Sequence, residues 1–247
     1  MDRRPGPPGH HPADGRREYA VTKQERAMNT RHALIRSAAQ AFDQHGYTRA
    51  KLAGISAGAG VSPGALHFHF DTKSAMAAAV ETEAARILHA VARNVRRKSP
   101  GPLQALIDSS HAFAQQLSRD VVVRAGFHLN CGTAHSAGLN LRQEWLECVR
   151  EALDRAAKEG ATLEELRREE MTATITAATV GFETLARRDP NWLSRHALTG
   201  LWRALLPQLA TAGTLPRLQP AGTEAVVNAA GHDAAPAPDA VLTPLRG

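Results

Sequence analysis

The sequence predicts an all-α protein with an N-terminal helix-turn-helix head of three short helices and a larger helical body. Three observations carry that prediction. Aromatic residues make up 4% of a chain that is 43% hydrophobic, so Ala, Leu and Val must fill most of the core, a balance that favours helices over sheets. Apolar residues recur at spacings of three and four, and no stretch reads as a strand ladder. Gly, Pro and small polar residues fall between the apolar stretches, where helix caps belong. The 247 residues suffice for one large domain or for a small domain joined to a larger one.

The elements follow in order. Residues 1–24 hold Pro, Gly, His and Arg without periodicity and are expected to be disordered. In "NTRHALIRSAAQAFDQHG", Leu34, Ile35, Ala38, Ala39 and Phe42 take helical spacing. Asn29 or Thr30 is placed to cap this helix, and Gly46 to end it. A short segment follows with Leu52, Ile55 and Ala59 on one face, and Gly60 allows a tight turn. Ser62 is an N-cap and Pro63 a first helical residue, so a brief helix is expected over Pro63–Phe68. Asp71 or Thr72 then caps a long helix to about Arg97, and "SPGP" at 99–102 breaks the chain.

Further amphipathic segments read as helices near 103–118, 121–129, 140–158, 163–187 and 192–210, with "RDPN" separating the last two. Pro and Gly recur through 211–247, which is expected to be a second disordered tail. The predicted organisation is a basic tail (1–24), a head (25–72), a helical body (73–210) and a Pro/Ala-rich tail (211–247).

The formal net charge is +6, and it is unevenly spread. Residues 1–51 carry ten Lys/Arg against five acids, whereas the rest is near neutral. That asymmetry points to a polyanion partner near the N-terminus; a solubilising tail is the plainer alternative. Cys131 and Cys148 have no CxxC spacing, so no disulfide framework is expected and a reduced cytoplasmic setting is the simplest reading. The polar start lacks the apolar run of a signal peptide, and no apolar run of about 18 residues suggests a membrane span. Nucleophile-elbow, P-loop and dinucleotide motifs are missing, so no enzyme, cofactor or metal is expected.

The stretch "VSPGALHFHFDTKSA" admits three readings. As a metal site it fails on spacing. His67 and His69 lie two residues apart, which on a helix points them to opposite sides. As core it explains Val61, Leu66 and Phe70, which can meet Leu34, Ala38 and Phe42, but not Ser62, Pro63, Gly64, His67, His69 and Lys73. As a helix-turn-helix it explains both sets. A support helix, a glycine turn and a second helix offer small residues at Gly64 and Ala65 for close approach to a DNA groove. Lys73 stands at the start of the next helix, where N–H groups suit a phosphate.

Residues 33–80 closely resemble the DNA-binding domain of TetR-type transcriptional repressors. The shared features are F-x-x-x-G-Y ending the first helix, then A-G-V-S-x-G-x-L-x-x-H-F, then Lys at the start of the fourth helix. The resemblance implies an all-α homodimer, one helix-turn-helix per subunit, and a C-terminal domain that binds a small ligand and dimerises. "GALHFHFDTKSAMAAAV", "VVVRAGFHL" and "EWLECVREAL" are similar to the actinomycete γ-butyrolactone receptors and pseudo-receptors, regulators commonly tied to antibiotic production. Three departures stand out: Pro63 replaces a usual Lys, His67 a usual Tyr, and Ala50–Lys51 stand where a Thr often caps the second helix.

From these readings the DNA-contact candidates are Lys51, Ser62, Pro63, Gly64, His67, His69 and Lys73, with His69 and Lys73 on phosphates. In the related receptors a Trp at the position of Trp145 lines the hormone pocket. Phe113, Phe127 and Phe182 are candidates to complete an apolar pocket around it, with Thr179 or Thr176 supplying a hydroxyl. A buried Trp145 needs a partner for its ring N–H, and a ligand oxygen or a water would serve. Trp202 and Leu205 are candidates for a dimer seam, with an intramolecular core as the alternative. The expected partners are double-stranded operator DNA, a small apolar signalling ligand (butyrolactone-like or antibiotic) and a second copy of the chain. A ligand-blind or architectural DNA-binding dimer stays open.

Overall fold

A computed structural model describes residues 12–129 and 140–224, with side chains from Gln24 onward. The expectations for residues 1–11, 225–247 and Cys131 fall outside the described residues. The described chain is helical: α1 (Pro12–Arg49), α2 (Leu52–Gly58), α3 (Pro63–His69), α4 (Lys73–Lys98), α5 (Pro102–Arg119), α6 (Val121–Leu129), α7 (Leu141–Lys158), α8 (Arg168–Ala186) and α9 (Arg195–Leu209). It divides into two compact units, Met1–Ala85 with Val121–Leu139, and Arg86–Asp120 with Asn140–Gly247. The head is therefore larger than residues 25–72. It takes in the first half of α4 and all of α6.

In the first unit the apolar stripe of α1 builds the core. Leu34, Ala38 and Phe42 pack with Ile55, Leu66, Phe70, Met76 and Val80, and α6 adds Val122, Ala125 and Leu129. The helix starts at Pro12, not at the expected Asn29 or Thr30. The Thr30 hydroxyl bonds back to Arg26 O inside that helix instead of capping it. Gly46 breaks the α1 backbone with φ 73° and ψ 161°, a conformation open to glycine. The turn sets the Tyr47 ring 5.6 Å from Phe42.

Short helices need their ends satisfied. The Ser62 hydroxyl accepts from Ala65 N at 3.1 Å, opening α3, and Thr72 Oγ1 accepts from Ala75 N at 3.0 Å, opening α4. Ser37, buried on α1, donates to Ile55 O at 2.8 Å and pins α2. Two devices fix α6. Arg124 makes a fork to Asp43 on α1, with Nε to Oδ1 at 3.1 Å and Nη2 to Oδ2 at 2.9 Å. Gly126 lets α6 close on α4, because a Cβ there would lie 2.4 Å from Ala84 Cβ and 3.0 Å from Val80 O.

In the second unit Leu103, Leu106 and Ile107 of α5 meet Trp145, Val149 and Leu153 of α7, Ile175 of α8, and Trp202 and Leu206 of α9. Trp202 is fully buried and its indole N–H donates to Ser110 Oγ at 2.7 Å, so it is core, not dimer seam. Leu205 packs against the same core. Helix α8 starts at Arg168 instead of 163, because the preceding backbone pairs with the end of α9. Thr162 and Ala210 form an antiparallel bridge, with Leu163 N to Leu209 O at 2.9 Å. Helix α9 starts at Arg195, since Ser194 caps it by accepting from Ala197 N.

The expected C-terminal tail is also corrected. Residues 211–224 are ordered, and the backbone of 219–223 is hydrogen-bonded to side chains of α5 and α9.

Two outcomes follow. Gly126→Ala is expected to destabilise the chain by about 1–3 kcal/mol through overpacking, and Ala84→Gly in the same chain should return part of the loss in denaturant unfolding. His111 is buried, and desolvation lowers its pKa below the ordinary 6.5. The unfolded chain then binds the extra proton more readily, so stability rises with pH just below 6.5 and is lost on acidification. The drop in melting temperature between about pH 7.5 and 5 should shrink in His111→Gln relative to the parent chain.

Candidate DNA-contact surface and ligand site

Helix α3 buries Leu66 in the first unit and leaves its other face in solvent. Ser62, Pro63, Gly64 and His67 are exposed there, and Lys51 is exposed at the start of α2. Lys51 occupies the N-cap position of α2, with its side chain in solvent. His69 is half-buried, with Phe68 standing edge-on to it at 5.2 Å between ring centroids. Phe68 itself is 81% exposed. Sequence reasoning passed over it, although the two-residue alternation with core residues Leu66 and Phe70 carried the signal.

Between Asp43 and Asp71 the chain contains no carboxylate, while it carries Arg49, Lys51 and three histidines. Asp43 is engaged by Arg124. The exposed surface of α2 and α3 is therefore cationic or neutral throughout.

Lys73 has a larger structural share than expected. Its ammonium donates to Thr48 O at 3.1 Å and lies 4.7 Å from the Tyr47 ring centroid. It braces the turn made by Gly46. An ammonium has three donors, so this bond does not use up the group.

The second unit brings three of the ligand candidates together. Trp145 is buried on α7 and donates its indole N–H to Thr179 Oγ1 on α8 at 2.7 Å. Phe113 of α5 meets the indole edge to face at 5.1 Å. The Thr179 hydroxyl donates onward to Ile175 O at 2.8 Å. The protein thus supplies the ring partner that a ligand oxygen or water was expected to supply.

The same face of α8 carries Thr172, Thr176 and Glu183, at helical spacing from Thr179. The hydroxyls of Thr172 and Thr176 are buried with no hydrogen-bond partner. Glu183 is buried and held by Arg187, with Nη2 to Oε1 at 3.2 Å.

Two candidates fall elsewhere. Phe182 is half-buried and pairs with Trp192 at 5.5 Å. Phe127 lies on α6 and belongs to the first unit, whereas Trp145 belongs to the second. Sequence spacing within α6 does not show which unit Phe127 joins.

Comparison with known proteins gives these surfaces a context. Residues 34–80 match the family described as bacterial regulatory proteins, tetR family. The match covers the helices that form the head, α1 to the start of α4, and identifies that part of the chain as a TetR-type domain.

Along most of its length the chain is similar to the A-factor receptor protein of Streptomyces griseus. The two are 28% identical over 203 residues, which span 82% of this chain and 71% of that one. A solved gamma-butyrolactone receptor described as an ArpA-like protein is similar at a TM-score of 0.66 and 25% identity, over 78% of this chain and 93% of that one. CprB from Streptomyces coelicolor, solved with its biological operator sequence, gives 0.66 and 26%, over 78% and 94%. Full-length TylP, a TetR regulator from Streptomyces fradiae, gives 0.64 and 28%, over 82% and 97%.

The Trp145–Thr179 pair is open to a direct test. Thr179→Val strands a buried indole N–H and should cost about 1–3 kcal/mol. In a double-mutant cycle with Trp145→Phe, the Val substitution should cost clearly less, measured by chemical denaturation.

Proposed function

We propose that this chain is a ligand-responsive, DNA-binding transcriptional repressor of the cytoplasm, not an enzyme. It acts as a homodimer on a palindromic operator and is released by a small signalling molecule, a γ-butyrolactone or an antibiotic. Its targets, on this reading, lie in secondary metabolism. The observation that carries the proposal is the exposed, carboxylate-free face of α2 and α3 on a TetR-type head. Relatives support it in kind: one is an A-factor receptor, and another was solved on its operator.

On the DNA, α3 enters the major groove, with the second head one helical turn or so along. Gly64 and Ala65 let the helix backbone come close. His67 and Phe68 reach base edges, Phe68 toward a thymine methyl. Lys51, His69 and Lys73 meet phosphates, which position the head without reading sequence. Pro63 pre-forms the helix but brings no charge, so Lys51 takes a larger share of the backbone contacts. The dimer forms through α8 and α9, where Leu185 and the adjoining Trp192 are exposed apolar groups.

The ligand sits beside Trp145 and Phe113, with the unpartnered hydroxyls of Thr172 and Thr176 for its oxygens. It acts only through unequal affinity for the DNA-competent and released states. Helix α4, which contributes to both units, carries the change. A second reading has its own support. The Trp145 N–H is already satisfied by Thr179 and its ring is covered by Phe113, as a ligand-blind repressor would have it.

A gel shift on the protein's own upstream region, challenged with butyrolactones and with antibiotics, separates these readings. A specific complex released by one class supports a sensor; a specific complex that nothing releases supports the ligand-blind dimer. In the same assay Lys51→Ala should weaken binding evenly across sequences and reduce the salt slope by about 1 per head. An unchanged slope would remove Lys51 from the phosphate contacts.

A further inference from the structure

The last described residues close over a stripe of α5 that the core does not use. Gln104, Asp108 and His111 lie at i, i+4 and i+7, away from Leu103, Leu106 and Ile107, and all three are buried. Each meets the backbone of 219–223. The Gln104 amide pairs with Gln219 in both directions, accepting from its N–H at 2.8 Å and donating to its C=O at 3.2 Å. His111 Nε2 donates to Pro220 O at 2.9 Å. Arg195 of α9 donates to Ala221 O at 2.8 Å. The Asp108 carboxylate accepts from Thr223 N at 2.8 Å and Thr223 Oγ1 at 3.0 Å, as well as from Ser99 at 2.6 Å and Gln104 at 2.9 Å.

The sequence of this segment is fitted to its seat. Gly222 N bonds to Gln219 O at 3.0 Å, closing a turn with Pro220 in its second place. Gly222 has φ 76°, and a Cβ there would lie 3.2 Å from the His111 ring. The backbone angle strains any side chain there, and the contact asks the His111 ring to give way.

We propose that Gln219–Thr223 is a strap that sets the geometry of the ligand site by holding α5, with Asp108 as its positioning residue. The proposal rests on the ligand-site reading above. One face of α5 is gripped by the strap. From another, Phe113 reaches the Trp145 indole, two residues on from His111. With the strap unseated, Asp108 loses two of its four donors while Gln104 and His111 lose their backbone partners. Buried polar groups in that condition are costly, so α5 must shift or hydrate, and Phe113 moves with it. The strap is thus a second, covalently attached determinant of ligand affinity.

The test uses Gly222→Ala in the full chain, a chain ending at Leu218, a chain ending at Glu224, and the milder Thr223→Val. Hydrogen exchange at α5 reports strap seating without any ligand. A gel shift reports operator affinity, and a synthetic acyl-γ-butyrolactone is titrated to release the complex. Gly222→Ala and the chain ending at Leu218 are expected to exchange faster along 104–115 and to bind operator as the parent does. They should need on the order of 5–150-fold more butyrolactone for release. Thr223→Val should fall between them and the parent, and the chain ending at Glu224 should match the parent.

Unchanged exchange in α5 overturns the strap itself. Faster exchange with an unchanged butyrolactone dose overturns its link to the ligand site. A parent complex that neither butyrolactone nor antibiotic releases overturns the ligand reading and with it the strap's role in the response; where only an antibiotic releases it, the same doses are read with that antibiotic. Should Gly222→Ala fail to fold, Thr223→Val and the shortened chain carry the same three readouts.

Discussion

A helix buried on every side has no solvent for its polar side chains, and α5 is such a helix. Residues Pro102 to Ala112 are all buried, among them Gln104, Asp108, Ser109, Ser110 and His111. Each buried donor or acceptor must find a partner inside the protein. Much of the second unit can be read as the supply of those partners. Ser110 receives the indole of Trp202, which fixes α9. Asp108 and Gln104 take the C-terminal backbone, which then cannot wander. The apolar stripe of the same helix is left to meet Trp145 and its neighbours.

The first unit answers the opposite demand. Its short helices must fold firmly and still leave a face uncovered. Seven-residue helices are marginal by themselves, so α2 and α3 depend on caps and on the long α1. Ser37, Ser62 and Thr72 satisfy backbone groups at the junctions. Lys73 and Tyr47 brace the break at Gly46. With these supports inside, the outward residues of α3 are free of structural duty. That freedom is why an exposed Phe68 and a proline at Pro63 are tolerated there.

What was legible in the sequence was local. The 121–129 helix, the Ser62–Pro63 helix start and the Gly46 break all rest on residues adjacent in the chain, and the structure has each of them. The all-α fold was equally plain from composition and period. What was missed depends on partners far along the chain. The late start of α8 follows from pairing with residue 210. The order in 219–223 comes from side chains more than a hundred positions earlier. The sequence left Trp202 between a dimer seam and the core and put Phe127 in a pocket with Trp145, and contacts between distant segments decide both. For the candidate site, the rule that a buried N–H needs a partner held for Trp145, but it pointed to a ligand oxygen or a water, whereas the partner is the Thr179 hydroxyl, 34 positions along the chain.

The carboxylate-free run from residue 44 to 70 has a kinetic side. A surface with cations and no anions attracts a polyanion from any direction along its length. It offers no repulsion that would reject a wrong register. On the DNA-binding reading, charge then gives speed of encounter and travel along the duplex, both fading as salt rises. On the same reading, choice of sequence is left to four other contacts: a hydroxyl at Ser62, bare backbone at Gly64, an imidazole at His67 and an aromatic ring at Phe68. Such a head searches quickly and discriminates late, only once those four groups are seated against the bases.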